Sequence, residues 1–279
     1  MKRCLSVIGQ PAPKKERKGT AAMTQDQVLV QRLQEQMRVW NPDDLCTRHR
    51  DSYRGAFDEW GQLVELHLCS MGVWEVPSEV WHLSFLHMLC LDDNQLSSLP
   101  KQIGQLSSLD VLGLSGNQLS SLPKQIGQLS ALRVLDLWNN QLASLPKQIG
   151  QLTSLQALGL RGNRLTHLPK QIGQLSALQQ LDLEYNQLSS LPKQIGQLSA
   201  LEELHLGRNR LTSLPKQIGQ LSSLQELDLE GNQLASLPKA LSQLTTLKKL
   251  LLANNPWQTL PPDLIAQRPS AILAYLRTR

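Results

Sequence analysis

Aromatic side chains and long apolar runs are both scarce in this sequence. Its 279 residues include two Phe, three Tyr and six Trp, although apolar residues reach 41%. No apolar run approaches the ~20 residues that a membrane-spanning helix needs. The run from Leu5 to Ile8 is also shorter than the apolar core of a secretory signal. We therefore expect neither membrane insertion nor signal-directed secretion.

Cysteine clusters and enzyme signatures are missing as well. The four cysteines (Cys4, Cys46, Cys69 and Cys90) are widely spaced, unlike those that staple small secreted domains. This spacing favours a cytoplasmic chain without disulfides. The sequence has no HExxH, GxSxG or Gly-rich dinucleotide loop, and no GxxxxGK[ST] phosphate loop. We therefore expect a protein that is not an enzyme and that carries no cofactor.

The net charge of +5 comes from one end of the chain. Residues 1–22 hold six of the 28 basic residues and one of the 23 acidic residues, so the remainder carries 22 of each. The basic isoelectric point thus describes a polar tail, for which we expect disorder. A neutral body gives no reason to expect nucleic-acid binding.

Leucine is abundant, with 59 copies, and it recurs in a fixed pattern. The string LPKQIGQL begins at six positions, each 23 residues after the last: Leu99, Leu122, Leu145, Leu168, Leu191 and Leu214. A fuller register, LxxLxLxxNxLxxLPxxIxxLxx, gives nine units, which begin at Leu63, Leu86, Leu109, Leu132, Leu155, Leu178, Leu201, Leu224 and Leu247. Nine units in phase predict a stacked repeat architecture.

This pattern resembles the leucine-rich repeat over roughly residues 63–268. The LPxxIGxL variant is similar to cytoplasmic repeats: those of bacterial leucine-rich repeat proteins, of Ras-pathway scaffolds and of the domain preceding the GTPase in Roco proteins. The resemblance implies an α/β solenoid, a right-handed superhelix of about nine 23-residue repeats, with a concave parallel β-sheet and helical N- and C-terminal caps. The GTPase half of the Roco family is absent, because the phosphate loop is missing.

The residues alone predict the same architecture. Leucines two apart share one face of a strand, and one unit cannot bury them alone, so successive units must stack. The asparagine in each unit should satisfy backbone groups in the turn after the strand. The segment Pro-Lys-Gln-Ile-Gly-Gln predicts a short helical turn with proline at its first position.

We divide the chain into four parts. They are a disordered basic tail (1–23), a helical N-terminal cap (24–62), the repeats (63–260) and a helical C-terminal cap (261–279). Five residues recur at helical spacing and support the N-terminal cap: Leu45, His49, Tyr53, Phe57 and Trp60. Asp263 to Gln267 and Ser270 to Leu276 predict short helices in the C-terminal cap.

The variable positions beside the strand leucines should project from the concave face. All eleven acidic residues between Leu86 and Ala253 occupy such positions, whereas the LPK lysines lie on the outer segment. Asp182, His205 and Asp228 should form a lateral row, ~4.8 Å apart. Trp138 beside Gly159 suggests an anchor pocket. The predicted partner-binding set is Val134, Asp136, Trp138, Arg161, Asp182, Glu184, Tyr185, Glu203, His205, Arg208, Glu226, Asp228 and Glu230.

One further cluster has the composition of a metal site. His67, Cys69, Cys90 and Asp92 should occupy neighbouring positions on the first two units, and zinc uses these ligand types. Because no CxxC pair is present, the sequence favours ordinary polar residues near a cap and no metal. A Cys69–Cys90 disulfide is disfavoured too, since the two residues should be diagonal at ~8 Å.

The sequence thus favours a monomeric, non-catalytic module. It would bind a basic protein or peptide, bearing one apolar anchor residue, on its concave face. Two alternatives stay open. The first is a scaffold subunit assembled through the LPK edge, the caps or the tail into a signalling complex with a separately encoded GTPase or kinase. The second is a zinc-binding site on the first two repeats.

Overall fold

The computed structural model describes residues 53–265 and 267–278, together with Val28. Ten strands form one sheet in sequence order. They are β1 (Tyr53–Phe57), β2 (Leu63–Leu68), β3 (Met88–Cys90), β4 (Val111–Gly113), β5 (Val134–Asp136), β6 (Ala157–Gly159), β7 (Gln180–Asp182), β8 (Glu203–His205), β9 (Glu226–Asp228) and β10 (Lys249–Leu251). The predicted disordered tail lies outside the described residues.

Strands β2 to β10 pair in parallel, and each residue faces its equivalent one repeat later. Leu112, Leu135 and Leu158 are direct partners across β4, β5 and β6. The central leucines are nearly inaccessible to solvent, because each repeat covers the leucines of the one before. The predicted solenoid of nine stacked units with a parallel sheet is confirmed.

The outer side of the solenoid consists of short 3₁₀ helices. They are Ser78–His82, Lys101–Gln105, Lys124–Gln128, Lys147–Gln151, Lys170–Gln174, Lys193–Gln197, Lys216–Gln220 and Lys239–Gln243. A proline precedes each one in an extended conformation; Pro146, for example, has φ −66° and ψ 147°. The predicted helical turn is therefore present, but its proline is the cap residue and not the first helical residue. The central apolar residue of each helix is buried, as Ile149 shows.

The repeated asparagines form a ladder along the solenoid. The Asn163 side chain accepts a hydrogen bond from the Leu142 N–H at 3.0 Å and donates to the carbonyls of Leu137 and Leu160 at 2.9 and 3.0 Å. It thereby joins two repeats through backbone groups that the sheet leaves unpaired. The predicted structural role of these residues is confirmed.

The N-terminal end of the sheet differs from the prediction. Residues 53–57, assigned to a cap helix by their spacing, form the strand β1, which pairs antiparallel with β2. The sequence YRGAF contains a glycine and two aromatic residues, which suit a strand better than a helix. Apart from Val28, which is helical, residues 24–52 of the predicted cap lie outside the described residues.

Two helices close the C-terminal end, as predicted: α1 (Pro262–Ile265) and α2 (Pro269–Arg277). Helix α2 buries Ile272, Leu273 and Leu276 against the last repeat. Arg277 also donates a hydrogen bond to the Ser242 carbonyl at 3.3 Å. Within the described part of the chain, no helix is long and apolar enough to cross a membrane.

Candidate functional site

The concave face carries one row of variable side chains at the last strand position. In spatial order the central row is Cys90, Gly113, Asp136, Gly159, Asp182, His205 and Asp228. The register pairs Asp182 with His205 and His205 with Asp228, so these three residues are lateral neighbours as the repeat spacing indicated. Each step along the row corresponds to ~4.8 Å between strands.

A pocket of about 100 Å³ opens in the middle of this face and is called the concave pocket below. Its floor contains small residues, Ala157 and Gly159, where neighbouring repeats carry larger ones. Its walls and rim carry the functional groups of Trp138, Arg161, Gln180, Asp182, Glu184, Glu203 and His205. The pocket therefore combines an indole, charged groups of both signs and an apolar floor, all on one rigid sheet.

Trp138 lies across the gap that Gly159 leaves. A Cβ atom added at position 159 would stand 2.7 Å from Trp138 Cδ1, so the indole can lie there only because residue 159 is glycine. Trp138 Nε1 and His205 Nε2 are buried, and neither hydrogen-bonds to the described residues, although Glu226 Oε1 lies 3.3 Å from His205 Nε2. Two buried polar atoms beside a pocket offer hydrogen-bonding capacity to a bound group.

The aspartates of the central row also serve the backbone. Asp136, Asp182 and Asp228 each accept a hydrogen bond from the N–H two residues later, at 3.1, 3.0 and 2.8 Å. Asp228 is only 9% exposed and Val134 only 4%, so neither offers much surface to a partner. Their place in the partner-binding set stays a prediction: Asp228 also stabilises a turn, and Val134 packs in a small cluster with Val111 and Ala157.

The glutamates around the pocket carry side-chain contacts instead. Glu184 forms an ion pair with Arg161, whose guanidinium lies 4.8 Å from the centre of the Tyr185 ring. Glu226 pairs with Lys249 at 2.6 Å. In the next turn, Glu230 lies 3.5 Å from Arg208 and accepts a hydrogen bond from Asn254.

Glu203 is the most available carboxylate of the pocket. Within the described residues it has no lysine or arginine at ion-pair distance; His205 Nε2 lies 3.9 Å away, and the Gln180 amide donates a hydrogen bond to Glu203 at 3.5 Å. Its side chain is 42% exposed. The pocket rim therefore keeps an uncompensated negative charge.

Two residues in the turns after the strands occupy a backbone conformation that disfavours them. The position before each ladder asparagine has positive φ, and glycine fills it at Gly116, Gly162 and Gly231. Tyr185 and Arg208 fill the same position with φ of 54° and 56°. Bulky residues in the left-handed region cost free energy, and such residues cluster at functional sites.

Burial raises the pKa of the pocket acids. The pKa of Asp136 rises to about 6, with the Trp138 N–H hydrogen bond opposing the shift. The pKa values of Asp182 and Glu184 are raised as well, chiefly by burial. A bound cation would stabilise the ionised forms of these poorly solvated carboxylates.

A pH-dependent stability follows for Asp136. A raised pKa stabilises the fold below pH ~4, and this contribution is lost as pH rises through about 6. We expect Asp136→Asn, which keeps an acceptor for the Trp138 N–H, to raise the free energy of unfolding at pH 7.5 by ~2 kcal/mol. The gain should vanish near pH 4, as urea denaturation at the two pH values would show. Equal changes in the free energy of unfolding at both pH values would contradict the raised pKa as the cause. The control is Asp110→Asn, because Asp110 forms a more exposed ion pair with Arg133.

The first two repeats contain a disulfide between Cys69 and Cys90, whose Cα atoms are 5.8 Å apart. The expected ~8 Å separation and the expectation of no disulfide are therefore wrong. Cys69 lies beyond the end of β2, where the chain already turns through Ser70 with φ 57°, so the strand spacing does not apply to it. Asp92 lies beside Cys90, with its Oδ2 at 3.2 Å from the sulfur, while its Oδ1 accepts the Ser115 N–H at 2.8 Å.

Comparison with known proteins gives one consistent result. A family model described as a leucine-rich repeat region matches residues 147–259, and one described as leucine rich repeat matches residues 117–165. A solved leucine-rich repeat protein of Leptospira interrogans is 42% identical with a TM-score of 0.67; the match covers 71% of this chain and 56% of that one. The chain is a leucine-rich repeat protein. A comparison with curated proteins gives no match.

Two further solved structures show how widely this repeat fold is used. An internalin of Listeria monocytogenes, 24% identical with a TM-score of 0.65, shares the fold, over 72% of this chain and 58% of that one. The ectodomain of the receptor kinase GASSHO1/SCHENGEN3 from Arabidopsis thaliana, solved with CASPARIAN STRIP INTEGRITY FACTOR 2, is 30% identical with a TM-score of 0.65. That match covers 80% of this chain and 31% of that one. This leucine-rich repeat protein thus spans less than two thirds of each of these structures.

Leucine-rich repeat domains generally mediate protein–protein interaction, and the fold is typically a non-catalytic module. In this protein the repeat spacing predicted from the sequence that Trp138, Glu184 and Glu203 lie on one surface. It missed Gln180 in the pocket wall and the Lys249 partner of Glu226. The 23-residue register gives the strand position of both residues. It gives no reason to select them as functional among the many polar residues of the sequence.

Proposed function

We propose that this protein is a non-catalytic interaction module whose concave pocket binds a basic segment of a protein or peptide carrying one apolar anchor residue. The observation that carries the proposal is the pocket itself. It has a floor of small residues, a buried and unpaired Trp138 Nε1, and the uncompensated carboxylate of Glu203 at its rim. A concave sheet is the surface that solenoid proteins use for recognition.

Charge supports a basic ligand. A lysine or arginine entering the pocket would meet Glu203 and Asp182, and it would relieve the cost of the buried carboxylates whose pKa values are raised. Arg161 is already paired with Glu184 and adds little repulsion. A nucleic-acid phosphate would meet the same carboxylates and be repelled.

Aromatic surface supports the apolar anchor. The Tyr185 ring is 50% exposed, and the half-buried Trp138 indole lies at the pocket wall. Aromatic side chains of this kind dominate the energetics of many interfaces. We place the protein in the cytoplasm as a monomer, in keeping with the LPxxIGxL type of its repeats.

Selection of peptides from a random displayed library tests this proposal. We expect the enriched peptides to carry net positive charge and an apolar residue. The Trp138→Ala, Glu203→Lys variant should bind them at least ~30-fold more weakly. The Lys147→Glu, Lys170→Glu variant changes the charge of the outer edge at two positions, a larger change than that of the pocket variant, and should bind like wild type. Enrichment of acidic peptides, or equal binding by the pocket variant, would exclude the proposed ligand chemistry.

Tyr185 should show opposite effects on stability and binding. We expect Tyr185→Gly to raise the free energy of unfolding by ~1 kcal/mol, because glycine tolerates the positive φ at this position. The same change removes the exposed ring and should weaken binding of the selected peptides. Urea denaturation and titration calorimetry measure the two effects. Loss of stability would contradict the backbone argument, and unchanged affinity would remove Tyr185 from the interface.

The outer edge favours a second candidate role, that of a scaffold. One lysine opens each of seven consecutive 3₁₀ helices, and all seven are exposed: Lys101, Lys124, Lys147, Lys170, Lys193, Lys216 and Lys239. A row of like charges on the convex side suits an acidic partner in a signalling assembly. Loss of a captured partner from the Lys147→Glu, Lys170→Glu variant, but not from the pocket variant, would favour this role.

A further inference from the structure

The N-terminal end of the concave face gathers a second group of reactive side chains, far from the concave pocket along the chain. His67 on β2 and Cys90 on β3 are direct partners in the parallel register, and Cys69 follows β2. One ligand atom from each of the three lies within 4.8 Å of the other two. All three residues are only partly buried, so small solutes can reach them.

This geometry fits a small thiophilic cation. Two thiolates and one imidazole are ligands that zinc prefers, and a tetrahedral site with zinc–sulfur bonds of ~2.3 Å keeps its ligand atoms about 3.5–4 Å apart. In the disulfide the two sulfur atoms are bonded, so they would separate to this spacing in the zinc form, and the imidazole nitrogen already lies within 4.8 Å of both. A partly exposed face leaves the fourth position to water.

Neighbouring carboxylates support the arrangement. Glu65 Oε2 lies 3.8 Å from His67 Nε2, and a carboxylate beside a ligating histidine orients its ring in many metal sites. Asp92 Oδ2 lies 3.2 Å from Cys90 Sγ. Asp92 stands outside the group of three, because its other oxygen is held by the Ser115 N–H.

We propose that His67, Cys69 and Cys90 form a zinc site in the dithiol form of the protein, and that the Cys69–Cys90 disulfide is the alternative, metal-free form. Zinc binding replaces the two thiol protons, which are released to solvent. A low-molecular-weight disulfide such as oxidised glutathione would switch the site. One cysteine thiolate leaves the zinc, attacks the disulfide and releases one glutathione thiolate. The second cysteine thiolate then displaces the other glutathione thiolate, which closes the protein disulfide and releases Zn²⁺ to solvent.

Both forms would join β2 to β3, and therefore the first repeat to the second. Zinc or the disulfide would brace the first repeat, whose other neighbour in the sheet is the strand β1 and not a further repeat. The cytoplasmic thiol pool would favour the zinc form, and oxidising conditions would favour the disulfide.

Zinc titration of the full chain tests the proposal directly. Protein reduced with a phosphine should take up about one equivalent of Zn²⁺ in competition with a chromophoric chelator. Cobalt substitution should give thiolate-to-metal charge-transfer absorption. Protein oxidised with glutathione disulfide should take up less than about a tenth of an equivalent. Reduced protein that also stays below that level would overturn the proposal.

Matched variants locate the site. Cys69→Ser and Cys90→Ser should each abolish uptake, and His67→Gln should weaken zinc affinity at least ~10-fold. The Cys4→Ser, Cys46→Ser variant removes the other two cysteines and should bind zinc like wild type; loss of zinc from it would place the metal elsewhere and overturn the proposal. Far-UV circular dichroism of each variant separates loss of ligand from loss of fold. The readout is independent of any partner of the concave pocket.

Discussion

Replacing Asn163 with alanine should lower the free energy of unfolding by ~3–5 kcal/mol, among the largest effects of any single substitution in the chain. Its side chain satisfies the Leu142 N–H and the carbonyls of Leu137 and Leu160. Alanine leaves the Leu142 N–H buried and unpaired, at a cost of ~1–3 kcal/mol. It also removes one hydrogen bond, worth ~0.5–1.5 kcal/mol, from each of the two carbonyls, which keep the bonds donated by Asn140 and Asn186. Because each repeat is stabilised by its neighbours, a defect in a middle repeat uncouples the units on both sides.

Urea denaturation followed by circular dichroism measures this loss. Gln118→Ala removes an exposed side chain of related chemistry two repeats earlier and should change the free energy by less than ~0.5 kcal/mol. An Asn163→Ala protein that unfolds at the wild-type urea concentration would contradict the ladder as a source of stability. A separate early transition would instead show that the solenoid has lost cooperativity at that repeat.

Gly150→Ala should be the second large effect, with a loss of ~1–3 kcal/mol. Gly150 lies in the 3₁₀ helix Lys147–Gln151, directly below the helix of the next repeat. A Cβ atom there would stand 2.5 Å from the carbonyl oxygen of Gln171, and backbone cannot yield as a flexible side chain can. The same close approach recurs at Gly127, Gly173 and Gly196, which explains why the outer segment repeats so uniformly.

The matched control lies in the same helix. Lys147→Ala exchanges its exposed first residue and should leave stability within ~0.5 kcal/mol of wild type. Thermal unfolding of both variants distinguishes close packing from general sensitivity of the outer segment. Equal losses in the two proteins would contradict the packing explanation for glycine.

The 23-residue period predicted most of the fold. When the units are identical, only one alignment of neighbouring strands buries every leucine. Leu112, Leu135 and Leu158 align as soon as the repeats do. Residues outside the repeat obey no such constraint. The strand at Tyr53–Phe57 was therefore misjudged as a helix, since its aromatic spacing is compatible with both structures.

The sequence predicted which face of the sheet carries the candidate site, but not the contacts that its side chains make. Strand alternation placed Asp136, Asp182 and Asp228 on the concave side, yet it could not show that each accepts a hydrogen bond from its own turn. Glycine at 159 suggested free space, which the Trp138 indole partly fills. Contacts between side chains of neighbouring strands depend on rotamers that a repeat pattern does not contain.

Site-specific photo-crosslinking tests the central claim, that the concave pocket is the receptor surface, most directly. A photoreactive phenylalanine derivative would replace Tyr185, whose ring contacts the pocket residue Arg161, or Lys193 on the outer edge as a matched exposed position. In lysate of the source organism, we predict an adduct with a basic protein segment from position 185 and none from position 193. An adduct from position 193 alone would contradict the account and move recognition to the convex lysine row.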